Sequence, residues 1–221
     1  MIRRVWAILW KDIRSEWRSK EFFGAMFVFA ALVVFVFNFA FDLRIESGKA
    51  VAPGVMWVAF SFAGELGLSR SFALEKENGC IDGLLLSPGD RSAIYMAKAL
   101  GNLLFMLVSE TFLLPMMMAL FDVNLLRPSV LLAILAGTFG FVVVGTLISA
   151  IAVNTRAQEV MLPVLLFPAV LPVLISAVRL TSGALDGVSA AELASWWRIL
   201  LAYDAFFAVL AVLVFDFVVE E

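Results

Sequence analysis

Apolar residues in this chain gather into six long runs, at about residues 22–41, 51–72, 93–121, 128–153, 160–180 and 199–219. A helix rises about 1.5 Å per residue, so roughly 20 apolar residues cross a ~30 Å hydrocarbon layer, and each run predicts one membrane span. Ahead of the first run, Ile2, Val5, Trp6, Leu9, Ile13 and Trp17 recur at three- and four-residue spacing, with Arg4, Lys11, Arg14 and Arg18 around the other side. A basic face opposite a tryptophan-bearing apolar face predicts an amphipathic helix over residues 1–20, lying in the headgroup plane. The following run has full membrane length and no A-x-A-like site ends it, so this helix is expected to be retained. Between the second and third runs, Ala73 to Pro88 is the one long charged segment set between membrane-length runs.

Several spans carry further signals. Ala59, Ala63 and Gly67 fall on one face of the second, and Ala133, Gly137 and Phe141, beside Ala136, Gly140 and Gly145, leave a groove in the fourth. Small residues at such spacing let a neighbouring helix approach closely. The fifth span carries Pro163, Pro168 and Pro172. Each proline removes a helix hydrogen bond, so this span is expected to be kinked or locally unwound. Ser189-Ala190-Ala191-Glu192 has capping-box spacing and predicts a short surface helix leading into Trp196 and Trp197, which suit a membrane interface.

Composition turns these runs into a class. Hydrophobic residues make up 63% of the chain, charged residues 16%, and mean hydropathy is +1.00. Soluble domains carry about a quarter charged residues, so the expected fold is an all-α integral membrane protein, one transmembrane permease domain over residues 1–221 with no separate soluble part. The net charge of −3, with basic residues scattered instead of forming a stripe, gives no support for nucleic-acid binding. Cationic residues also orient the chain. With a cytoplasmic N-terminus the inner side receives Arg3, Arg4, Lys11, Arg14, Arg18, Lys20, Arg70, Lys76, Arg91, Lys98 and Arg156, eleven of the 16. Arg44, Lys49, Arg127, Arg179 and Arg198 fall outside. Both termini, and the segment at residues 73–92, are therefore expected in the cytoplasm.

The chemistry is defined largely by what the chain lacks. No G-x-x-x-x-G-K-[ST] phosphate loop is present, so the chain is not expected to hydrolyse ATP and is not read as an enzyme. It has no histidine and a single cysteine, Cys80, which removes the commonest metal and haem-iron ligands, and no cofactor or metal is assigned to it. Acids inside the spans are a different matter. Glu65, Glu110 and Asp204 are candidates for a pathway or for structural pairing, whereas Asp216 lies close enough to the end of its run to reach water. Met116, Met117 and Met118 point in different directions around a helix and are read as packing. In the polar segment, Ile81, Leu84, Leu85 and Leu86 can form one short apolar turn rimmed by Glu75, Glu77 and Asp82, preceded by Gly79 and stopped by Pro88.

An amphipathic first helix, six spans, and Glu75-Lys76-Glu77-Asn78-Gly79 followed by Ile81-Asp82-Gly83-Leu84-Leu85-Leu86-Ser87-Pro88 and Lys98 resemble the permease subunit of a type 2 ABC exporter. More narrowly, Pro53-Gly54-Val55-Met56-Trp57-Val58-Ala59, Arg70-Ser71-Phe72, and Arg156-Ala157-Gln158-Glu159-Val160-Met161-Leu162-Pro163 with Pro168 and Pro172 resemble the haem exporter permease B (CcmB) family of cytochrome c maturation, over essentially the whole chain. Cys80 and Gly83 depart from the bulkier or more polar residues expected in some relatives. The resemblance implies a bacterial inner-membrane complex with a separate ATP-binding subunit (CcmA-like), a second copy of this chain, a haem-handling membrane protein (CcmC-like), a small membrane partner (CcmD-like) and a periplasmic haem chaperone (CcmE-like). It places ATPase coupling on Glu75 to Arg91, ATP on the partner, and haem as possible cargo. Two rivals are a type 2 permease for another hydrophobic or lipid-linked substrate and an ion-coupled carrier using Glu65 and Glu110. A scaffold without transport is a third.

Overall fold

The computed structural model describes residues 2–19, 21–42, 48–77, 92–153, 155 and 157–218. Its elements are α1 (Ile2–Ser19), α2 (Glu21–Asp42), α3 (Gly48–Glu77), α4 (Ser92–Phe121), α5 (Pro128–Ala152), α6 (Gln158–Asp186) and α7 (Ala190–Val218). Helices α2 to α7 are long and apolar enough to cross a membrane, so the chain is the all-α membrane protein its hydropathy predicts. The C-terminal ends of α3, α5 and α7 and the N-terminal ends of α4 and α6 meet at the end of the bundle where α1 packs, called here the α1 end.

Helix α5 is the axis. It packs against α3, α4, α6 and α7, and every residue from Gly140 to Ala150 is buried. Its glycines make this enclosure possible. A Cβ at Gly137 would lie 2.3 Å from the Trp57 ring of α3, one at Gly140 2.1 Å from Asp204 Oδ1 of α7, and one at Gly145 2.2 Å from Leu68 of α3. The groove read from the small residues is thus filled by side chains of α3 and α7.

Two boundaries differ from the sequence expectation. The fifth span continues to Asp186, where Gly187 adopts φ 73° and the Val188 N–H closes on Gly183 O at 2.8 Å. That is a left-handed C-cap, and the stop lies in backbone geometry, not in the fading of apolar residues near 180. The separate surface helix expected at Ser189–Glu192 does not exist. The capping box is real, with Ser189 Oγ donating to Glu192 Oε1 at 2.8 Å, but it opens the sixth span itself. No glycine or proline interrupts Leu193 to Ile199, and Leu193 packs on Gly183 while Trp196 lies against Arg179, so the helix has support from its first turn.

Local unwinding at the prolines is also not found, since α6 is helical through Pro163, Pro168 and Pro172. Leu162, Leu166, Val170, Val173 and Ala177 of the same helix are fully buried, and this packing holds the turns that lose hydrogen bonds.

Helix α1 is the amphipathic helix its pattern predicts, and one edge of its apolar face packs on the bundle. At about 100° per residue, Ile8, Asp12, Val5 and Leu9 lie together, and Ile8 and Leu9 are buried against the bundle. Ile2, Trp6 and Trp10 form the adjoining apolar strip and are exposed. The helix therefore offers one apolar side to protein and one outward, beside its basic face.

Candidate functional site

The predicted coupling residues Gly79, Ile81, Asp82, Leu84, Leu85, Leu86 and Pro88 lie outside the described residues, and Glu75 and Glu77 fall in the last turn of α3 without described side chains. What is described is the pair of stems, α3 and α4, that flank residues 78–91.

Those stems are joined by polar contacts at the α1 end. The Lys98 ammonium of α4 lies 3.0 Å from Asp12 Oδ2 of α1, donates to Ser71 O of α3 at 2.9 Å, and sits 5.7 Å from the centre of the Phe72 ring. Its side chain is 5% exposed. Lys76, near the end of α3, donates to Val153 O just beyond α5 at 2.5 Å. Tyr95 Oη donates to Val143 O at 2.8 Å, and Ser149 Oγ to Leu68 O at 2.6 Å. Phe215 of α7 completes the cluster, with ring centres 5.5 Å from Tyr95 and 6.4 Å from Phe72.

Deeper in the bundle the pattern changes. Thr138 Oγ1 of α5 donates to Glu110 Oε1 of α4 at 2.6 Å, while Glu110 Oε2 has no partner. Ser109 Oγ, Ser176 Oγ and Asp204 Oδ1 are likewise buried without partners among the described residues. Counting about 1.5 Å per residue along the helices, these groups lie roughly 15 to 21 Å from the helix ends opposite α1, near the middle of a membrane. Asp204 rests against the bare backbone of Gly140, and its neighbour Tyr203 donates to Ala169 O of α6.

The structure thus separates the three predicted acids. Glu110 and Asp204 are both buried, at 2% and 4% exposure, on opposite sides of α5, and Glu65 is half-buried on α3. No hydrogen bond joins Glu110 to either of the others. Met117 is fully buried and Met116 and Met118 pack against the same core, in agreement with a packing role. No group of three or more metal-ligating side chains is close enough to hold an ion among the described residues. At the end opposite α1, Arg127 donates to Ala184 O and Leu185 O at 3.2 and 2.8 Å, closing the end of α6 beside an open cavity of about 460 Å³ lined by Met118, Asp122, Asn124 and Asp186.

Sequence reasoning missed Asp12, Thr138, Ser109 and Ser176, and treated Lys98 only as part of a motif and as one of the orienting cations. The signal for Lys98 was available, because a lone cation inside an apolar run is as unusual as an acid there. Thr138 could have been found as the hydroxyl set between Gly137 and Gly140.

Comparison with known proteins accounts for the chain as a whole. A Rhodobacter capsulatus protein named Heme exporter protein B is 30% identical over 190 residues, covering 83% of this chain and 84% of that protein. Proteins of the same name from Pseudomonas aeruginosa and Paracoccus denitrificans are each 28% identical, covering 81% and 83% of this chain and 79% and 86% of their own length. The family described as CcmB protein matches residues 3–220, and the chain belongs to that family.

Proposed function

We propose that this chain is the membrane-spanning permease subunit of an ABC exporter in cytochrome c maturation, a non-catalytic partner of a separate ATP-hydrolysing subunit. The observation that carries the reading is the family match over residues 3–220, joined to relatives named Heme exporter protein B. The chain contains no phosphate loop, so the energy must come from another polypeptide. Lysine and arginine asymmetry puts residues 78–91 and both termini in the cytoplasm of a bacterial inner membrane, where such a polypeptide can reach them.

In this reading the ATP-binding subunit grips Ile81, Leu84, Leu85 and Leu86, rimmed by Glu75, Glu77 and Asp82, and its closure shifts the stems α3 and α4. The remaining partners are a haem-handling membrane protein, a small membrane protein, a periplasmic haem chaperone and a second copy of this chain. Haem is the cargo of the complex. Without histidine, and without cysteine in the spans, this chain is a poor iron ligand, which favours use of ATP to release haem-loaded chaperone over passage of haem through the bundle. Glu110 and Asp204 are proposed as the intramembrane groups that change partners during the cycle.

Replacing Leu85 with Asp tests the docking step. A carboxylate in an apolar anchor should abolish copurification of the ATP-binding subunit while this chain still inserts at wild-type level. Copurification at wild-type level would remove residues 78–91 as the contact.

A further inference from the structure

We propose that Lys98 is a positioning residue that makes α1 and both stems of residues 78–91 one mechanical unit, so that α1 moves with the stems instead of anchoring them passively. The inference rests on the reading of those residues as the ATPase contact. Its geometric basis is independent of that reading.

Three elements converge on one ammonium group: Asp12 of α1, Ser71 O of α3, and α4, which carries the lysine. The level is symmetric. Ser71 is six residues before the end of α3 at Glu77, and Lys98 is six residues after the start of α4 at Ser92. Each stem therefore projects about 9 Å past the node before residues 78–91 begin. A tie placed there fixes the separation of the stems and leaves their tips free to be gripped.

The residue type also argues for positioning. A buried lysine has to be paired, and an apolar side chain of similar length would fill the same space without the desolvation cost. Lysine adds direction, because its N–H donors have to meet specific acceptors on two other helices. The Asp12 side chain is 16% exposed and the Lys98 side chain 5%, so the pair is held by protein and little screened by water. Ile8 and Leu9 bury the adjoining side of α1 in the same region, and a Cβ at Gly101 of α4 would lie 3.6 Å from Leu9 Cδ1. Helix α1 thus rides on α4 along more than one turn. Lys76 extends the unit to the end of α5.

A charge exchange tests this in the complex reconstituted in nanodiscs. In a Cys80→Ser background, Leu9→Cys and Gly101→Cys report docking of α1 through the yield of a short bifunctional thiol reagent. Asp12→Lys and Lys98→Asp each put like charges together and should lower that yield and the maturation of c-type cytochromes about tenfold. The ATP-binding subunit should still copurify and hydrolyse ATP at the wild-type rate, which separates uncoupling from misfolding. The double exchange restores the opposite charges between α1 and α4 but leaves Ser71 O without its donor, so it should recover cross-linking while maturation stays low. If either single exchange does not fold, Asp12→Asn removes the charge at nearly constant shape and should lower maturation about threefold, with ATP hydrolysis unchanged. Wild-type maturation in Asp12→Asn, or a folded double exchange whose cross-linking does not recover, overturns the proposal. Failure of the wild-type chain to capture an ATP-binding subunit would overturn the functional reading alone, since the cross-link still reports whether the tie exists.

Discussion

At the α1 end, Lys98, Lys76, Tyr95 and Ser149 each reach a partner on or beyond another helix, whereas near the middle of the bundle, beside the Thr138–Glu110 and Tyr203–Ala169 bonds, Ser109 Oγ, Glu110 Oε2, Ser176 Oγ and Asp204 Oδ1 reach none among the described residues. The two regions belong to the same helices. In hydrocarbon an unmet polar group costs several kcal/mol, so cross-helix bonds at one end resist relative motion, and unmet groups at the middle give motion something to gain. A displacement entering at the stems of residues 78–91 would pass through the tied end as a rigid shift and be resolved at the centre, where helices can exchange partners. Helix α5 is common to both regions, through Ser149 and Val143 at one level and Thr138 and Gly140 at the other.

The contrast concerns hydrogen bonds and not empty space. A Cβ at Gly137 would meet the Trp57 ring at 2.3 Å and Ala177 Cβ at 2.8 Å, and Trp57 is itself pinned by its Nε1–H to Thr181 Oγ1 at 3.1 Å. Gly137→Leu should therefore have the largest effect, above about 3 kcal/mol, because neither the ring nor the facing helix can retreat. The expected result is loss of monodisperse protein on size exclusion in detergent. A variant that inserts and elutes as wild type would mean that the centre is loosely packed, and the contrast would reduce to ordinary slack.

Glu110→Gln probes function at the same depth. The side-chain oxygen still accepts from Thr138, and the shape is nearly kept. Protein level should be unchanged, while maturation of c-type cytochromes falls about tenfold because the second position can no longer act as a carboxyl oxygen. Unchanged maturation at unchanged level would assign Glu110 to structure.

Six spans were legible because the hydrocarbon thickness imposes one length on every helix, and apolar runs report it directly. Helix ends were legible only where the run itself stopped. The α6 end at Gly187 and the α7 start at Ser189 are set by backbone geometry and capping, which hydropathy does not register. For α1 the amphipathic pattern shows which side is apolar but not how lipid and protein divide it. Leu9 of the predicted stripe and Ile8 beside it are buried against the bundle, while Ile2 and Trp6 of the same stripe are exposed. For the acids, depth in the membrane was legible and partners were not. That Glu110 meets Thr138 and Asp204 meets Gly140 depends on the rotation of α4 and α7 about α5, which no local pattern encodes.

The smallest expected effect is the most direct comparison of the two regions, a pair of serine-to-alanine changes. Ser149 Oγ donates to Leu68 O at 2.6 Å from a fully buried position, and Ser176 Oγ is buried to 1% exposure without a partner. Both changes remove one hydroxyl and little volume, so cavity terms are similar and the difference isolates hydrogen bonding. Ser149→Ala should cost about 1 kcal/mol, since cross-helix bonds in membranes are worth that order. Ser176→Ala should instead stabilise by about 1 kcal/mol, the low end of the penalty for burying an unmet hydroxyl. Thermal unfolding of the two variants in one detergent reads the difference. Equal losses would show that Ser176 has a partner in the membrane-embedded protein, and the centre would then be as well tied as the α1 end.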